Sequence, residues 1–164
     1  MVQDRSPSRP IPDAADLRLH ALDHEDLALV SAILQDALIR VGDLAYLPGQ
    51  RRFALVGARF DRVAEAEGRL ERCRTGLHFE GVQRARLLRV AHDRPETVLE
   101  LLAVTFEPGP DAPSGVVTLV FAGGAAIQLD VECVEAQMRD IGPRWAVKTR
   151  PSHDLGPDTS TEPA

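Results

Sequence analysis

The sequence predicts an α+β fold in which a curled antiparallel sheet carries one helix after its first strand and a second, closing helix at its C-terminal end. Three observations lead there. Residues 116–132 alternate, with Val117, Leu119 and Phe121 against Val116, Thr118 and Val120, and then Ile127, Leu129 and Val131 against Gln128, Asp130 and Glu132; a period of two is that of strands. Gly123-Gly124 between the two runs can supply the positive φ values of a tight hairpin. From Cys133 the spacing of Val134, Met138 and Ile141 reads as a helical stripe that Gly142-Pro143 would end.

The remaining elements follow in order. Leu17 and Leu19 alternate with Arg18 and His20 in a short first strand over 17–22. Asp23 then opens a helix: its carboxylate can accept from the orphan N–H groups of the first turn, Glu25 and Asp26 favour the positive end of the helix dipole, and Leu22 can staple onto Leu27. Leu27, Val30, Leu34 and Ala37 form its apolar stripe. Residues 39–47 have strand composition interrupted at Gly42-Asp43, 48–51 form a turn, and 52–60 (RFALVGARF) a strand. Residues 61–74 mix acids and arginines with few large apolar side chains, which predicts a solvated connection or a short surface helix. A strand over 77–90, bent at Gly81, a turn at 92–96, a strand over 98–106 and a Pro/Gly loop at 108–115 complete a meander of about six antiparallel strands.

At 164 residues and 44% apolar content the chain supports one core, and the boundaries read as a lead-in over 1–16, a single domain over 17–151 and a tail over 152–164. The lead-in, with Pro7, Pro10 and Pro12, and the tail, poor in apolar side chains, both read as disordered. The lead-in has no apolar core of a signal peptide, which points to a cytoplasmic protein. A net charge of −6 argues against nucleic acid as partner, and no apolar run is long enough for a membrane span. Cys73 and Cys133 lack metal or redox spacing, so reduced thiols are expected. Asp23-His24-Glu25-Asp26 resembles a ligand cluster, but four consecutive side chains splay apart, and capping explains them better; no metal and no cofactor are expected.

The usual catalytic signatures, from the nucleophile elbow to the dinucleotide fingerprint, are missing from the sequence. His78 and Glu80, two apart on a presumed strand, would share a face and form a possible acid/base pair, although a structural His–Glu contact is the simpler reading. The cations suggest a second class of site, for a small anionic ligand. Arg84, Arg86 and Arg89 crowd one strand, and Arg144, Lys148 and Arg150 surround Trp145 after the last helix. Trp145, the sole tryptophan, should be buried as an anchor worth about 2–3 kcal/mol.

The element order resembles the pleckstrin-homology-like roll, a bent antiparallel sheet plugged by a C-terminal helix. At the level of residues, VGDLAYLPGQRRFALVGARFD, TGLHFEGV, VTLVFAGGAAIQLDVECVEAQMRDIG and GPRWAVKTRPSHD are similar to the bacterial family catalogued as domain of unknown function 2948, over 17–154. The family pattern puts an aromatic after Phe60-Asp61, where this chain has Arg62. The resemblance implies a bacterial cytoplasmic protein and brings no catalytic residue with it. The resulting expectation is a non-enzymatic interaction or scaffold domain, the alternatives being an anionic-ligand-binding domain and an enzyme centred on His78 and Glu80. A protein partner or a small anion would be the ligand, and homo-oligomers are compatible with the exposed strand edges such a sheet leaves.

Overall fold

The computed structural model describes residues 17–149 and Pro151. The expectations for the lead-in, the tail and Arg150 lie outside these residues. Among them the chain forms β1 (Arg18–Ala21), α1 (His24–Leu34), β2 (Leu38–Arg40), β3 (Leu44–Leu47), β4 (Arg52–Phe60), α2 (Arg62–Ala66), β5 (Glu71–Phe79), β6 (Val82–Leu88), β7 (Val98–Pro108), β8 (Gly115–Phe121), β9 (Ala126–Val131) and β10 (Ala136–Ala146). All pairings are antiparallel, in the order β1-β10-β5-β4-β2-β7-β8-β9-β6, with β3 added to β4. The sheet curls but does not close, so β1 and β6 remain edges.

The helix after the first strand is present and starts as its residues dictate. Asp23 accepts from the Asp26 N–H at 2.8 Å, and Asp26 accepts in return from the Leu22 N–H at 3.0 Å, a reciprocal cap that satisfies two orphan donors. Leu22 itself is 59% exposed, so the cap and not a staple fixes the entry. Leu27, Val30 and Leu34 are buried where α1 packs on β1, β4 and β7, and Ser31 Oγ accepts the Val104 N–H at 2.8 Å, standing in for a strand neighbour. The core joins these residues to Phe53, Leu55, Leu77, Phe79, Leu101, Leu119, Phe121, Ile127, Leu129 and Met138.

The closing helix, and with it the pleckstrin-homology-like roll, is overturned. Residues 136–146 form β10, inserted between β1 and β5. Ala136, Met138 and Asp140 are buried while Gln137, Arg139 and Ile141 are exposed, a period of two. Val134 and Met138 satisfy both periods. The charge on Asp140, at an inward position, hid the shorter one. Gly142-Pro143 does not end the element either. It lies in the register shift between Asp140 and Arg144, a bulge that accommodates a residue lacking an N–H.

Two further expectations change. Residues 77–90 are not one bent strand: Glu80-Gly81, with Gly81 at φ +67°, turns the chain from β5 into β6, which pairs with β9 on the far side of the sheet. The charged connection holds α2, but from Glu71 onward it is strand, with Cys73 and Thr75 buried.

Candidate functional site

Arginine side chains cluster in three settings. The first is internal. Inward positions of β4, β5 and β10 pass from Phe53, Phe79 and Ala136 at one end to Arg59, Thr75, Cys73 and Asp140 at the other. Arg59 forks onto Asp140 through Nε at 2.9 Å and a terminal nitrogen at 2.8 Å, with side chains 5% and 1% exposed. Thr75 Oγ1 donates to the same carboxylate at 2.7 Å. Arg144 donates to Asp61 at 2.7 Å and stands 3.6 Å from Asp140, while Asp61 caps α2 by accepting from Val63 and Ala64 N–H at 3.0 Å.

Burial works to raise the Asp140 pKa, but the Arg59 and Thr75 hydrogen bonds and the charges of Arg59 and Arg144 override it and hold the carboxyl below its ordinary range. Asp61 is likewise held down, burial being outweighed by the Ala64 N–H and Arg144. Burial lowers the Arg59 pKa, yet Asp140 more than compensates and leaves it raised. Burial pushes the Cys73 thiol up, away from the reactive thiolate. This cluster is internally satisfied, and its chemistry is structural.

The second setting is the outward face of β6 and β9. Arg84 reaches Asp130 at 3.1 Å, and Arg86 grips it with both terminal nitrogens at 3.0 Å. The Arg86 hydrogen bond, outweighing burial, lowers the Asp130 pKa. Of the expected ligand-binding arginines, these two already hold a carboxylate, and Arg89 sits at φ +56° past the end of β6. Arg144 belongs to the internal cluster, and Lys148 is exposed. Trp145 is not the buried anchor expected of it: it is 39% exposed on β10, opposite Arg72. His78 and Glu80 do meet, Nδ1 to Oε2 at 2.6 Å, but the same oxygen accepts from Arg52 Nε at 2.7 Å, so its charge is already engaged.

The third setting was not foreseen. On the outward face of β1, β10 and β5, Arg18 is the register partner of Arg139, and His20 that of Gln137, which in turn opposes His78. Arg74 follows on β5, with Ile141 (49% exposed) and Trp145 continuing the face along β10. The outward positions of these three strands bear no carboxylate, and among the described residues Arg18, Arg74 and Arg139 make no ion pair. A shallow groove of about 290 Å³ is lined by Arg18, Leu19, His20, Gln137, Met138 and Arg139. The alternation of Arg18 and His20 was legible in the sequence; their juxtaposition with Arg139 was not, because it depends on a strand pairing across more than a hundred residues.

Fold and site together define an open, curled antiparallel-sheet protein with a cationic outer face at the β1 edge. The chain belongs to the family described as "Protein of unknown function (DUF2948)", whose model matches residues 17–153. No curated protein and no solved structure matches it. No helix among the described residues is long and apolar enough to cross a membrane.

Proposed function

We propose that the protein is a non-enzymatic interaction domain of the bacterial cytoplasm, acting as one unit over 17–151, and that it recognises an acidic protein segment through the outward face of β1, β10 and β5. The observation that supports this reading is the Arg18–Arg139 pair. Like charges directly opposite on neighbouring strands are destabilising, and here both guanidinium groups are exposed with no carboxylate between them, in a chain of net charge −6. A ligand carboxylate would relieve that repulsion, and the planar fork of each arginine suits it. Ile141 and Trp145 on the same face favour a peptide over a small anion, which would leave that apolar area unused. The free thiols of Cys73 and Cys133 fit a reducing compartment.

The test is fluorescence anisotropy with a labelled oligoglutamate peptide. Overall charge opposes its binding, so an association weakened by salt and abolished by the double variant Arg18→Glu/Arg139→Glu supports the reading. Affinity that survives this reversal overturns it.

A further inference from the structure

We infer that the acidic segment binds as an added strand along the free edge of β1, an inference that rests on the reading above and specifies the partner's conformation. β1 ends the sheet order, with β10 as its neighbour and none on the other side among the described residues. The Asp140 N–H donates to Leu17 O at 3.0 Å. Leu17 and Asp140 are therefore a hydrogen-bonded pair, and in an antiparallel ladder such pairs recur at every second residue. With Leu19 opposite Met138 and Ala21 opposite Ala136, the main-chain groups of Leu19 and Ala21 turn toward β10. Those of Arg18 and His20 turn to the open edge. The two residues with a free backbone are thus the two whose side chains, the Arg18 guanidinium and the His20 imidazole, lie on the outward face at this edge.

A segment laid antiparallel on this edge exchanges N–H···O bonds with Arg18 and His20, and its residues opposite them project outward beside the guanidinium and imidazole groups. Those positions call for Asp or Glu. The alternate positions lie beside Leu19, whose side chain is on the inward face, and call for apolar side chains. The partner is therefore an extended stretch alternating acidic and apolar residues. A second copy of this chain is a poor occupant, since β1 against β1 would set Arg18 and His20 beside their own counterparts.

The experiment compares a short peptide alternating glutamate and valine with two backbone-methylated forms, one N-methylated at the glutamates and one at the valines, and with oligoglutamate. Antiparallel addition points the glutamate N–H groups at β1, so methylating them should weaken binding at least about tenfold, whereas methylating the valines should change it by less than about threefold. Any other methylation pattern overturns strand addition. If methylation has no effect while Arg18→Glu/Arg139→Glu still abolishes binding of both unmethylated peptides, the cationic face stands and the added strand falls. If neither unmethylated peptide binds, both are overturned.

Discussion

Two outward faces of this sheet carry paired arginines, and they behave differently. On β6, Arg84 and Arg86 converge on Asp130 of the neighbouring strand, with Arg84 as its register partner. On β1, Arg18 faces Arg139. The difference lies in the register partner: a carboxylate stands opposite Arg84, and a second arginine stands opposite Arg18. An arginine on a sheet is committed or available according to what stands opposite it across the ladder, and that partner is usually far away in sequence.

The largest expected effect comes from the buried version of the Asp130 arrangement. Asp140→Ala strands Arg59 inside the protein and should cost about 3–5 kcal/mol in urea unfolding. The double replacement Arg59→Met/Asp140→Leu, which removes both charges, should cost far less. A loss below about 1 kcal/mol for the single variant would show that Arg59 reaches water and that the inner cluster does not differ from an exposed fork.

The same contrast can be drawn with acid. Asp140 and Asp61 have folded pKa values below the ordinary carboxylate range. Their contribution is fully present above the unfolded value of about 3.9 and is lost as pH falls below it toward the lowered folded values. The urea midpoint should therefore drop in that window, and Asp140→Asn should flatten the drop; equal slopes in the two proteins would remove Asp140 from the account.

Asp130→Ala is expected to cost only about 0.5–1 kcal/mol, because its partners are part-exposed. It should also free Arg84 and Arg86 and create a second oligoglutamate site, detectable as a doubled stoichiometry in calorimetry. Unchanged stoichiometry would mean that free arginines on a strand do not suffice. Smallest of all, Arg139→Glu should raise stability by a few tenths of a kcal/mol by turning a repulsive pair into an attractive one, while abolishing peptide binding. A destabilised variant would show that the present pair is not repulsive.

Much of the architecture could be read from local patterns. β1, α1 with its Asp23 cap, β8 and β9 each repeat one period cleanly, and their burial follows it. β10 could not, since Asp140 occupies a core position that only its ion pair with Arg59 makes tolerable. β5 was missed in part for a related reason: Glu71, Arg72 and Arg74 look solvated until Cys73 and Thr75 are seen facing inward between them. Of the cationic face, sequence patterns single out only His78 and Trp145, each in another setting. The spacing over residues 133–141 predicts a helix, and a wrong element type removes every cross-strand neighbour that Arg139 has.

The place of β10 in the sheet also sets an order of events during synthesis. The strand neighbour of β1 lies at residues 136–146, so Arg18 and His20 emerge early and wait without it until the chain is nearly complete. At about 5–20 residues per second that interval is on the order of 10 s. The cationic face is therefore the last part of the sheet to exist. A chain stopped short of Ala136 lacks the strand neighbour of β1, and with it the paired Arg18–Arg139 face.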